Sequence, residues 1–136
     1  LGPDLSTSTL YHGPSYSGNA LAAAVGLRHL QLLQERNVLQ NVRERSRQLQ
    51  ALLQERVRIH PSVTAIRVQG LMAAVELDTA SDELLARRTC KAMVRRGVLS
   101  RSMGAVVTIV PPLTITATEI ERIVEVLAAA LQEVSQ

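Results

Sequence analysis

The residues best placed to do chemistry fall in two short stretches, "HGPSYSGN" at 12–19 and "SRSMG" at 100–104. In the first, Gly13 and Gly18 let backbone approach a ligand, Ser15 and Ser17 offer hydroxyls, and an Ala-rich helix begins immediately afterwards. A helix start presents unpaired N–H groups and the positive end of its dipole, so the pattern suits an anion. An ordinary Gly/Pro/Ser connection that caps a helix has the same composition. In the second stretch Arg101 is a lone guanidinium between apolar runs, flanked by Ser100 and Ser102, and its planar fork fits a carboxylate. A solvent-facing turn arginine is the plain alternative.

Other reactive side chains offer less. His12, His29 and His60 are far apart and Cys90 is remote from all of them, so no pair has the spacing of metal ligands. Cys90 lies in a helical pattern beside Met93 and Val94, which predicts a buried, inert thiol. Lys91 is the sole lysine, so any amine chemistry within the chain falls to it. Its neighbours Arg87, Arg88, Arg95 and Arg96 make it part of a cationic surface, with no acidic or Gly-rich partner to hold a cofactor.

The elements that must position these residues are legible from period and punctuation. The chain has 136 residues, 46% of them hydrophobic, enough for one globular domain with a real core. The first 18 residues are mostly turn formers without a period, and they hold both aromatic residues, Tyr11 and Tyr16. A helix is predicted over 19–35, capped by Asn19, with Leu21, Val25, Leu32 and Leu33 as its apolar positions. A second helix over 38–58 ends before "HP". The runs "VTAIRVQG" and "LMAAVELD" read as two strands about Gly70. A third helix is predicted to open at Ser81 and close at Gly97, followed by strands in "VLSRS" and "AVVTIVPP". "TATE" at 116–119 is a capping box for a last helix. This order predicts an α+β layer, helices on one side of a mainly antiparallel sheet.

Charge and composition exclude some functions. Fifteen basic against 12 acidic residues give +3, but the acids are interleaved with the bases as on a solvated helix face. With no aromatic stacking platform near the cations, the pattern argues against nucleic acid. No apolar run reaches membrane-spanning length and no basic-plus-apolar leader opens the sequence, so the expectation is a soluble, cytoplasmic chain without a membrane partner.

"HGPSYSGNALAAA", "VTAIRVQGLMAAVEL", a helix ending "RRG" and "VLSRSMGAVVTIVPPLTIT" together resemble the class III pyridoxal-phosphate aminotransferases of fold type I, over essentially the whole chain. The resemblance implies the C-terminal part of such an enzyme. Residues 1–18 would be a loop serving the cofactor and substrate site, and 19–136 the small domain, whose leading loop and helix pack on a large domain not present in this sequence. It further implies that Gly13 touches a keto-acid substrate, that Pro14 and Ser15 reach the phosphate of pyridoxal 5'-phosphate in the neighbouring subunit of a homodimer, and that Arg101 binds the substrate carboxylate. Three positions depart from the family pattern: Ala20 and Ser102 stand where prolines are usual, and Thr108 where many relatives carry an aromatic. The family's cofactor-anchoring lysine precedes the loop, so the polypeptide alone is expected to be inactive. A different class of reading is a non-catalytic α+β module that binds a protein partner through its two-helix arm.

Overall fold

The computed structural model describes residues 13 and 15–135, and the chain divides into two compact units, 1–36 and 37–136. In the first, a turn at 15–18 leads into helix α1 (Ala20–Glu35). The turn closes through the Asn19 N–H, which donates to the Tyr16 carbonyl at 3.3 Å, and Gly18 takes φ +78, a left-handed conformation that glycine adopts without strain. The Asn19 side chain then accepts from the Ala22 N–H at 3.0 Å, the cap expected from the sequence. None of the residues of α1 is buried: Leu21 is 76% and Val25 62% exposed. The predicted apolar stripe therefore exists without a buried partner among the described residues.

The second unit holds helix α2 (Val38–Leu52), strands β1 (Val63–Gln69) and β2 (Met72–Leu77), helix α3 (Leu85–Arg95), strands β3 (Arg101–Met103) and β4 (Val106–Ile109), and helix α4 (Ala117–Val134). The four strands form one antiparallel sheet in the order β1-β2-β4-β3. Alternation along the strands sends Ala73, Val75, Leu77, Val107 and Ile109 into a single core with the helices. Leu49 of α2 and Leu53 and Val57 just after it supply one share, and Ile120, Val124, Leu127 and Leu131 that of α4. The opposite sheet face carries Met72 and Met103, both more than half exposed.

Three boundaries differ from those predicted. The second helix does not stay α-helical to 58: Leu53–Val57 widens to a π turn, and the Arg58 N–H bonds the Leu53 carbonyl at 2.9 Å. A wider turn keeps Leu49, Leu53 and Val57, spaced by four, closer to one line than 3.6 residues per turn allows. The third helix starts at Leu85, not at Ser81, because the Asp82 carboxylate accepts from the Leu84 N–H at 2.9 Å and holds Arg88 at 2.8 Å, forming a turn ahead of the helix. Strand β3 starts at Arg101, later than "VLSRS" implies. After α3 the N–H groups of Gly97 and Val98 bond back to the carbonyls of Val94 and Met93, at 2.9 and 3.0 Å, so Val98 belongs to a Schellman cap.

The capping box of α4 is formed as predicted. The Thr116 N–H and hydroxyl donate to the Glu119 carboxylate at 2.8 and 2.7 Å, and the Glu119 N–H returns to the Thr116 hydroxyl at 3.3 Å. Thr116→Ala is expected to destabilise the chain by about 1 kcal/mol in urea unfolding. The backbone N–H of Thr116, then its hydroxyl, holds the Glu119 carboxyl below its usual range. A depressed folded pKa stabilises above the unfolded value and loses that contribution as pH falls through the folded one. The melting temperatures of the wild type and Glu119→Gln should therefore converge on acidification below the ordinary glutamate range; a constant gap would mean that the cap does not depend on charge.

Candidate functional site

The loop and the arginine singled out by the sequence fall in different units. Gly13 and Ser15 are exposed in the first, and Pro14 lies outside the described residues. Among the described residues, chain neighbours aside, no atom comes within 4 Å of where a Cβ would stand on Gly13 or Gly18, so these residues leave that side of the backbone open. The Ser15 hydroxyl stands at the turn, and the N-terminus of a 16-residue helix follows. The first turn of a helix leaves N–H groups without intrahelical partners, and Asn19 engages the Ala22 one. Hydroxyl, turn amides and helix end together are the donors that a phosphate monoester takes, so these residues fit the phosphate of a cofactor such as pyridoxal phosphate.

In the second unit Arg101 opens β3, the edge strand of the sheet. Its Cα partner is Thr108, whose own partner on β2 is Ala74, which in turn faces Arg67 on β1, so one cross-strand row runs Arg101, Thr108, Ala74, Arg67 on the sheet face opposite this unit's core. Arg67 is paired with Glu76 at 2.6 Å, whereas Arg101 makes no ion pair among the described residues. Two side-chain bonds fix the backbone that carries it. The Thr108 hydroxyl donates to the Arg101 carbonyl, and the Ser100 hydroxyl donates to the Thr108 carbonyl, both at 2.8 Å. Beside it opens a recess of about 430 Å³ lined by Leu99, Ser100, Arg101, Thr108 and Val110. An unpaired guanidinium on a fixed strand at the mouth of a partly apolar recess is equipped to hold the carboxylate of a ligand with an aliphatic chain.

Cys90 is buried, as the sequence predicts, with its thiol 3.8 Å from the Ser100 hydroxyl. Burial pushes the thiol pKa up, and the hydroxyls of Ser100 and Ser102 pull it partly back, so the protonated form is favoured. Lys91 is exposed on α3. Among the described residues no three His, Cys, Asp or Glu side chains come together as metal ligands, and no helix is long and apolar enough to cross a membrane.

Residues 4–131 match the family model for aminotransferase class-III. The chain belongs to this family. The class-III sequence is 35% identical to the adenosylmethionine-8-amino-7-oxononanoate aminotransferase of Nitratidesulfovibrio vulgaris, over 94% of this chain and 25% of that protein. It is 38% identical to the acetylornithine aminotransferase of Thermosynechococcus vestitus, over 88% of this chain and 29% of the relative. Among solved structures, an amine transaminase from an uncultivated Pseudomonas species in its PLP-bound form superposes with a TM-score of 0.84 at 30% identity, covering 97% of this chain and 31% of that one. The chain thus spans about a quarter to a third of the length of the relatives it matches.

Sequence reasoning named Ser100 and Thr108 beside the class-III chain's arginine turn but assigned neither a part in holding it. Thr108 and Ser100 pin Arg101 through side-chain bonds to backbone. Their signal was a threonine in one short strand and a serine just before the other, on either side of a glycine turn, but which carbonyl each would meet depends on strand register. Ser102, in the place of the usual proline, pairs with Val107 within the ladder and lies near Cys90, so strand pairing limits the freedom that losing the proline gives this turn.

Proposed function

We propose that this chain is the C-terminal part of a pyridoxal-phosphate aminotransferase that converts 8-amino-7-oxononanoate to 7,8-diaminononanoate in biotin biosynthesis. The observation that carries the reading is Arg101, an unpaired guanidinium whose strand is fixed by Thr108 and Ser100 beside a partly apolar recess. That arrangement matches a substrate with a carboxylate at the end of an aliphatic chain. The likeness to an adenosylmethionine-8-amino-7-oxononanoate aminotransferase over 94% of the chain supports the specific substrate.

In this reading Arg101 clamps the keto-acid carboxylate, Gly13 lets the backbone lie against the substrate, and Pro14 with Ser15 contacts the cofactor phosphate of the neighbouring subunit in a cytoplasmic homodimer. The bound cofactor supplies the electron sink for moving an amino group between donor and acceptor. The lysine that anchors it belongs to the large domain, so the 136-residue chain by itself is inactive. The exposed apolar positions of α1 suit a helix that packs on that domain. The test is an assay of the full-length enzyme with 8-amino-7-oxononanoate and either adenosylmethionine or lysine as amino donor. Absence of turnover with both donors rejects the biotin assignment.

The 38% identity to an acetylornithine aminotransferase favours a second class-III reading, in which Arg101 binds the carboxylate of an acylated ornithine. Turnover of that substrate in the same assay selects it. Under either reading, Ser15→Ala is expected to raise the cofactor dissociation constant about tenfold, the ~1.5 kcal/mol of one hydrogen bond to a charged group. Titration of pyridoxal phosphate followed by absorbance measures it, and an unchanged constant would remove Ser15 from the site.

A further inference from the structure

We draw no further inference here: the strongest candidate, the recess of about 520 Å³ between α3 and the edge strand β3, is lined by the exposed cations Arg87, Lys91 and Arg95 of one helix and by Arg101 of the site already described, and nothing in the structure shows what those cations hold.

Discussion

Arg101→Ala in the full-length enzyme is expected to weaken keto-acid binding by about 2–5 kcal/mol, the usual cost of removing one member of a desolvated, hydrogen-bonded charge pair. The size follows from what the substrate carboxylate is left with. A closed site strips its water, and without the guanidinium no equivalent donor pair replaces the fork. Arg101→Lys should fall between the two, because the charge is kept while the bidentate geometry is lost. In this chain alone Arg101 is exposed, and an exposed pair contributes only about 0–1 kcal/mol. The large effect is thus an expectation for the assembled site. Keto-acid affinity measured in the acceptor half-reaction decides it: an unchanged dissociation constant for Arg101→Ala places the carboxylate elsewhere. Unfolding curves of the variant should match those of the wild type, since Arg101 forms no ion pair among the described residues.

The second large effect concerns the core. Leu127 on α4 is fully buried, in one cluster with Leu49 and Leu53 of the α2 segment, Val75 of β2 and Val107 of β4. Leu127→Ala removes buried methyl groups and leaves a cavity that packed neighbours fill only in part, a loss of about 2–5 kcal/mol. Domains of this size have about 5–15 kcal/mol in total, so the variant should unfold at a markedly lower urea concentration with an unchanged slope. Leu21→Ala on α1 is the informative contrast. Leu21 is 76% exposed, and its replacement should change the stability of this chain by no more than about 0.5 kcal/mol. A small loss for Leu127→Ala would mean that α4 does not hold the sheet and helices together.

Much of the second unit was legible because its signals are local. Thr116 and Glu119 are three residues apart and need only each other to cap α4. Gly97 ends α3, with φ +83, because few other residues tolerate that conformation. The apolar runs on either side of Gly70 marked β1 and β2, and the structure turns Leu71, Ala73, Val75 and Leu77 inside. What misled sequence reasoning was competition between neighbouring signals. Ser81 reads as a cap, but the Asp82 carboxylate takes the Leu84 N–H and Arg88 into a turn, so α3 starts only at Leu85 and without a side-chain cap. Strand β3 was placed too early because the β-branched Val98 suits a strand, while the cap of α3 had already engaged its N–H.

By itself, the sequence determined the order of helices and strands, the apolar face of the last helix and the class-III identity of this chain, all of which rest on residue type, period and short motifs, whereas the apolar positions it marked on α1 are not buried. It also picked out Arg101 and the Ser15 loop as chemically suited to anions. Only the tertiary structure decided that Thr108 and Ser100 anchor Arg101, since that depends on the pairing of β3 with β4. It alone also turned the scattered cations of α3 into one wall of a recess closed by β3. The physical reason is the same in both cases. Charge and hydrogen-bonding capacity belong to single residues, but an electrostatic site is a sum over distances, and distances between residues far apart in sequence are fixed only when strands pair and helices pack.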